Sequence, residues 1–388
     1  MLLKTSYQRE LDKFCKTLIG GDFNIREVTK GALTQARAKL HPHAFIRLNE
    51  VAVETFYEGA EYLEWKGLRV LAVDGSSLKL PKSDSIVKEF GKYKTGRNSD
   101  TEVCMARCSL LYDVLNHVTI DAQIGPYKES EKNLFLNHFE QLKEGDLVLG
   151  DRNYPSTELM LRLANKGVEY CFRMKEHGSK VVSSFVNSGV KQQIVFLPLS
   201  KKAMAFVKDE KSAQSIECRL IRITLENGEV EILATSLLDE NEYEYEQFEA
   251  LYHMRWNVEE EYKLLKSRIE IESFSGRTSR SIHQDFHAKV LMLTLCATLA
   301  YPIAQKVKEE YSKEQTGNKH NQQINRTSAI GITKENLISI LLRKFHQKGI
   351  DCMDAIIEDT REIVRKGRKN KIKKRTKRLF HPSYKPLL

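Results

Sequence analysis

Two short apolar runs, each closing on an aspartate, constrain this chain more than any other feature. Residues 68–80 read LRVLAVDGSSLKL and residues 146–154 read DLVLGDRNY. Leu68–Val73 and Asp146–Gly150 are short and rich in Val and Leu, so each predicts a buried strand. The first stops at Asp74 and the second at Asp151. An acidic residue where a central strand stops lies at the mouth of a sheet, where the sites of α/β folds are built. Each aspartate also has a plainer reading. Asp-Gly is a common turn pair, and an Asp ahead of a helix can cap it.

A third stretch adds different chemistry. Residues 251–268 read LYHMRWNVEEEYKLLKSR. As one helix at about 100° per residue with Tyr252 at zero, Arg255 falls at about 300°, Glu259 at about 340° and Lys266 at about 320°. Leu251, Met254, Val258, Leu265 and Ile269 form an apolar stripe beside them. Such a segment holds a tyrosine, an arginine, a carboxylate and a lysine at the rim of a cleft. The plainer alternative is a solvated face rich in Glu and Lys. Trp256 projects off the stripe and is expected to be structural.

The remaining elements follow from period and punctuation. Residues 1–66 read as helical, with helices at Ser6–Ile19, Thr29–Leu40 and Ala44–Leu63 and a break at Gly20-Gly21-Asp22. Residues 81–102 form a basic loop with Lys82, Lys88, Lys92, Lys94 and Arg97. Residues 103–112 and 114–124 alternate as two strands meeting at Asp113, read as a hairpin residue and not a ligand. Helices are expected at 129–142 and Ser156–Lys166, and a strand at Val168–Met174. Residues 194–199, 216–225 and 229–236 read as strands, with Asn227-Gly228 as the turn between the last two. Helices at 283–309, 333–346 and 351–365 follow, with Glu314–Thr327 as a flexible connector. His283 and His287 have a spacing that suits zinc, but no third ligand is evident, so they read as core or surface residues.

Charge separates the tail from the body. Residues 365–388 hold eleven of the 62 Lys and Arg and none of the 52 Asp and Glu, which leaves the body at a net −1 and puts the whole excess of the +10 in the tail. A basic run of this kind suits nucleic-acid phosphates. No apolar run reaches the roughly 18 residues of a membrane span, and no basic-then-apolar leader opens the chain. A cytoplasmic protein without a membrane partner is expected. The seven cysteines are scattered with no CxxC pair, which argues against zinc knuckles and disulfides and for buried fillers.

The spacing Tyr252-x2-Arg255-x3-Glu259-x6-Lys266 resembles the Tyr-Arg-Glu-Lys signature of the DDE transposases of the IS-four (insertion-sequence-four) family. Asp74-Gly75-Ser76 after Leu71-Ala72-Val73 resembles the first aspartate motif of that family, and Asp151-Arg152-Asn153-Tyr154 the second. VTKGALTQARAKLHPHAF resembles the segment ahead of the catalytic domain in relatives, several of which carry further residues in front of it. Asp151 and Glu259 lie 108 residues apart, which suits the β-rich insertion these relatives carry. The likeness covers about residues 29–300.

The resemblance implies an α/β fold with an RNase H-like catalytic core: a mixed five-stranded sheet flanked by helices. Its domains would be a helical DNA-end-binding region at 1–66, the catalytic domain at 67–175 and 237–310, and a β-rich insertion domain at 176–236. A helical region at 311–364 and the basic tail would follow. Asp74, Asp151 and Glu259 would be catalytic and metal-holding. Three carboxylates brought together repel, and hard oxygen ligands select Mg²⁺ or Mn²⁺, here two ions. Tyr252, Arg255 and Lys266 would bind DNA, with Arg and Lys suited to phosphate. The implied activity is cleavage at the terminal inverted repeats of a bacterial insertion sequence and joining to target DNA. Double-stranded DNA is the partner and a homodimer the form on DNA. Alternatives are a nuclease without strand transfer and an inactive DNA-binding relative.

Overall fold

The computed structural model describes residues 7–19, 28–94, 101–207, 214–225, 228–342 and 347–364. The basic tail, the Gly20-Gly21-Asp22 break, Arg97 and Asn227 lie outside the described residues. The N-terminal part carries α1 (Tyr7–Ile19), α2 (Lys30–Lys39), α3 (His43–Gly59), β1 (Arg69–Leu80), α4 (Asp84–Phe90) and β2 (Tyr93–Lys94). Then come β3 (Glu102–Asp113), β4 (Val118–Pro126), α5 (Glu131–Leu136), β5 (Asp146–Gly150), α6 (Thr157–Ala164) and β6 (Glu169–Met174). The middle holds α7 (Lys180–Ser188), β7 (Gln192–Pro198), α8 (Lys201–Met204), β8 (Ser215–Thr224) and β9 (Val230–Thr235). The rest is α9 (Gln247–His253), α10 (Trp256–Ser267), α11 (Ser279–Glu310), α12 (Lys313–Thr316), β10 (Gln322–Gln323), α13 (Arg326–Leu341), α14 (Gln347–Asp359) and β11 (Glu362–Ile363).

The chain divides into two compact units. One comprises Gly59–Ser77 and Arg107–Tyr262, the other Met1–Glu58, Leu78–Ala106 and Lys263–Leu388. The mixed sheet has nine strands among the described residues, and its path through the first-named unit is β3-β1-β5-β6-β9-β8-β7, with β4 also on β3. Strands β1, β5 and β6 are parallel, from Arg69↔Asp146 across to Leu147↔Glu169. Parallel strands covered on both faces read as unbroken apolar runs. Val70–Val73 and all five residues of β5 are buried accordingly. The crossover from β5 to β6 is α6, whose N-cap Ser156 accepts from the Leu159 amide at 3.3 Å and which buries Leu159, Met160 and Leu163.

The long excursion before α9 extends this sheet. Strand β9 pairs antiparallel with β6, starting at Cys171↔Thr235, and β8 and β7 follow antiparallel in turn. The turn between β3 and β4 is built on Asp113 as expected. Its buried carboxylate takes the Leu115 amide at 3.0 Å and the Asn116 amide at 2.9 Å.

Five local expectations change. The expected basic loop 81–102 contains α4 and β2. The stretch 251–268 is two helices, α9 and α10, broken at Met254-Arg255, so the single-helix projection does not hold across the break. Strand β1 does not stop at Asp74 but runs on to Leu80. The helix expected over 129–142 is only α5 followed by a 3₁₀ turn at Phe139–Gln141. The expected flexible connector Glu314–Thr327 contains part of α12 and strand β10, which pairs with β11.

The second unit is mainly helical. Helix α11 is 32 residues long and continues through Pro302. By length and composition it is apolar enough to cross a membrane. Much of it is buried, including Phe286, Leu293, Cys296 and Ala300, and Ala300 clusters with Ala329, Met353 and Ile357 of α13 and α14. Helix α2 buries nothing of its own. It is tied to α11 by polar contacts, with Arg37 pairing to Asp285 at 3.1 Å and Gln284 Nε2 donating to the Arg37 carbonyl at 2.8 Å. His283 pairs with Glu89 at 2.5 Å and His287 packs edge-on to Phe286. Six of the seven cysteines are buried, and Cys352 is exposed.

Candidate active site

The parallel register of β1 and β5 sets the first two acidic residues. Arg69 faces Asp146 and Ala72 faces Leu149. Carried forward in step, this register brings Asp74 level with Asp151. Its other end is locked by a buried bidentate ion pair, Arg69 Nε to Asp146 Oδ1 at 2.7 Å and Nη2 to Oδ2 at 2.8 Å.

Glu259 arrives on the first turn of α10. The Tyr262 hydroxyl, one turn on, donates to the Asp74 carbonyl at 2.9 Å and ties the helix to β1. Asn257 Nδ2 donates to the Val114 carbonyl at 3.0 Å. Tyr252, buried at the end of α9, reaches the carbonyl of Gly150 at 3.5 Å, beside Asp151. Burial, above all, raises its phenol pKa. Arg255 occupies the break between the helices. Its Nη2 pairs with Glu259 Oε1 at 3.0 Å, and its guanidinium lies 4.9 Å from the Trp256 ring and 5.7 Å from that of Tyr252. Trp256 is therefore not a core residue. It is 49% exposed beside the arginine. The buried Nε of Arg255 has no hydrogen-bond partner.

Charge converges on Asp74. Burial first raises its carboxyl pKa to about 7, the Arg255 charge and the Gly75 amide oppose this, and the charges of Glu259 and Asp151 add to it. Tyr154 lies fully buried beneath. Its phenol pKa is raised by burial and then by Asp74, Glu131 and Asp151. The donor set Asp74, Asp151 and Glu259 is all hard oxygen, the chemistry that fits Mg²⁺ or Mn²⁺. Among the described residues no three His, Cys, Asp or Glu side chains stand together as a closed ion site. Glu259 is turned to Arg255 instead.

Five of the six expected site residues thus fall within one unit. The sixth, Lys266, is on the C-terminal half of α10 and belongs to the other unit. Arg280, on the first turn of α11, donates to the carbonyl of Ala38. A buried chain, Asp121 Oδ2 to His138 Nδ1 at 2.6 Å and His138 Nε2 to Ser109 Oγ at 3.0 Å, has the members of a hydrolytic triad. Ser109 and His138 are wholly buried, so no substrate reaches them.

Sequence reasoning missed Glu131, Asn153, Arg107 and Tyr262. Asn153 was detectable as the second residue after an aspartate, a common Asx-turn position. Its amide donates to Asp151 Oδ1 at 2.8 Å. Glu131 gave no local signal beyond its place after the N-cap Ser130.

A family model described as Transposase DDE domain matches residues 65–295. The chain is 26% identical over 156 residues to a putative transposase InsZ of Escherichia coli (strain K12), covering 38% of this chain and 50% of that protein. It is 22% identical over 283 residues to transposase InsG for insertion sequence element IS4 of the same strain, covering 72% and 63% respectively. It is 19% identical over 340 residues to a transposase for insertion sequence element IS231F of Bacillus thuringiensis subsp. israelensis, covering 76% and 68%. The chain therefore spans between 50% and 68% of the length of these relatives. A solved piggyBac transposase synaptic complex with hairpin DNA aligns at a TM-score of 0.43 and 10% identity, over 74% of this chain and 57% of that one.

Proposed function

The chain belongs to the family described as Transposase DDE domain, and from that premise we propose that it cuts phosphodiester bonds at the ends of a bacterial insertion sequence and joins the freed 3′ ends to target DNA. The observation that carries this reading is the hydrogen bond from the Tyr262 hydroxyl to the Asp74 carbonyl at 2.9 Å, which ties the helix of Glu259 to the strand of Asp74, itself paired in parallel with the strand that leads to Asp151. Acidic groups carried toward one another on two strands and a helix repel, and a cation between them would remove that repulsion. Strands β4, β3, β1, β5 and β6 suit the five-stranded RNase H-like core expected of such an enzyme.

Asp74, Asp151 and Glu259 would hold Mg²⁺ or Mn²⁺, with two ions expected. When bound, the ions supply activation of the attacking oxygen and stabilisation of the leaving oxygen. The protein's own groups do the rest. Glu259 must turn from Arg255 to act as a ligand, and this frees a guanidinium whose Nε already lacks a partner. That group then takes a phosphate oxygen of the DNA. Tyr252 holds the α9 end against the Gly150 carbonyl, next to Asp151 in the chain. Lys266, assigned to DNA by the family spacing, would offer phosphate a point charge.

Residues 1–66 are read as the end-binding region and 365–388 as a phosphate-binding tail. Two ends handled together call for a homodimer on DNA, in the bacterial cytoplasm.

The test is cleavage of a labelled duplex carrying the element's end, in Mg²⁺ or Mn²⁺, by wild type and Glu259→Gln. The wild type should nick at the element boundary and yield strand-transfer product, and the variant should bind without cutting. Equal cutting by both would remove Glu259 from the mechanism. Nicking without strand transfer would make the protein a nuclease.

A further inference from the structure

Glu131 is a fourth carboxylate beside the two aspartates, and its surroundings differ from theirs. It opens α5, directly after the N-cap Ser130. Its Oε1 accepts from Arg107 Nη1 at 2.7 Å, and the Arg107 guanidinium lies over the Tyr127 ring at 5.1 Å. Its Oε2 lies 3.4 Å from Asn153 Nδ2. The same Nδ2 is 3.4 Å from Asp151 Oδ2, and the Asn153 amide donates to Asp151 Oδ1 at 2.8 Å. On its other side Glu131 lies against Gly75, where an added Cβ would stand 2.7 Å from Glu131 Cγ and 2.9 Å from its Cδ and Oε1.

Glu131 therefore touches the residue after Asp74 and, through one asparagine, the carboxylate of Asp151. Both of its oxygens are engaged, which leaves it poorly placed to be a ligand itself. Its charge is paired with Arg107, so it joins an acidic cluster without adding its full repulsion. Side chains that hydrogen-bond to ligating carboxylates orient them, and their loss weakens metal binding.

We propose that Glu131, with Arg107 and Asn153, is a positioning residue that holds Asp151 and the Asp74-Gly75 backbone at a fixed separation for the divalent cation. The inference rests on the reading of Asp74, Asp151 and Glu259 as the cation-holding set.

The test is Mn²⁺ binding to the full chain without DNA, followed by electron paramagnetic resonance, for wild type, Asp151→Asn, Glu131→Ala, Asn153→Ala and the double variant. Thermal melting is recorded in parallel. Glu131→Ala and Asn153→Ala should each weaken Mn²⁺ binding by about 10–100-fold. The double variant should be no weaker than the worse single one, because both act through one bridge. Asn153 is exposed, so its variant decides the matter if Glu131→Ala fails to fold. Unchanged Mn²⁺ affinity in Asn153→Ala, with binding lost in Asp151→Asn, would overturn this proposal alone. Wild-type affinity in Asp151→Asn would instead overturn the metal reading of the site.

Discussion

Replacing Arg69 by Met should cost far more than the size of the change suggests. Arg69 is 5% exposed, its partner Asp146 is fully buried, and two hydrogen bonds of 2.7 and 2.8 Å join them. Besides the arginine, Asp146 Oδ2 takes the amide of Lys143 at 2.9 Å. Removing the arginine leaves a buried carboxylate with one backbone donor for compensation. Breaking a buried pair from one side costs about 3–5 kcal/mol, because the remaining charge cannot reach water. The double variant Arg69→Met, Asp146→Leu removes both charges and keeps the volume, so it should lie within about 1 kcal/mol of wild type or be more stable. In urea, with a slope of about 2 kcal/mol/M, the single variant should lose about 2 M in midpoint and the double variant should regain it. The pair also locks the register that brings Asp74 level with Asp151. The single variant should therefore lose the DNA cleavage proposed for the chain at urea-free conditions where it is still folded. A single variant within about 1 kcal/mol of wild type, or a double variant as weak as the single, would refute the reasoning.

Three further outcomes follow from the same geometry. Asp74 keeps its proton in the folded, cation-free protein up to about 7, above its ordinary 3.8. The folded state thus binds more protons in this window, so stability falls as pH rises through it. Asp74→Asn should gain up to about 4 kcal/mol over wild type near pH 8 and much less near pH 4, and an equal gain at both would contradict the assignment. Lys289, with Nζ donating to the carbonyls of Glu270 at 2.8 Å and Ser273 at 2.7 Å, is lowered by burial to about 8 from 10.5. The unfolded chain binds the extra proton between these values, so stability should rise with pH from about 8 to 10.5, and Lys289→Met should flatten that slope in denaturation midpoints. Gly75→Ala places a methyl group 2.7 Å from Glu131 Cγ, and should cost about 1–3 kcal/mol in thermal melts as Glu131 is displaced.

The strands that carry the site were legible because their burial is written locally. Leu68–Val73 and Asp146–Gly150 read as buried strands, and the structure buries Val70–Val73 and all of β5. The spacing of Tyr252, Arg255 and Glu259 was legible as a group, but its shape was not. A periodic projection assumes one unbroken helix, and here the chain turns at Met254-Arg255, where the Arg255 amide bonds back to the Tyr252 carbonyl at 3.1 Å. Gly75 misled in a similar way. Asp-Gly suggests a turn, whereas this glycine lies inside β1, where Glu131 leaves no room for a Cβ.

The sequence by itself determined which segments could be buried strands and that Arg255 lies near Glu259 along the chain. Only the tertiary structure decided the partners. Arg69 and Asp146 are 77 residues apart, and Arg107 and Glu131 are 24 apart. No periodicity in one segment encodes a contact with another. Those contacts form when the sheet aligns the strands, and burial then makes each charge depend on the one that lands opposite it.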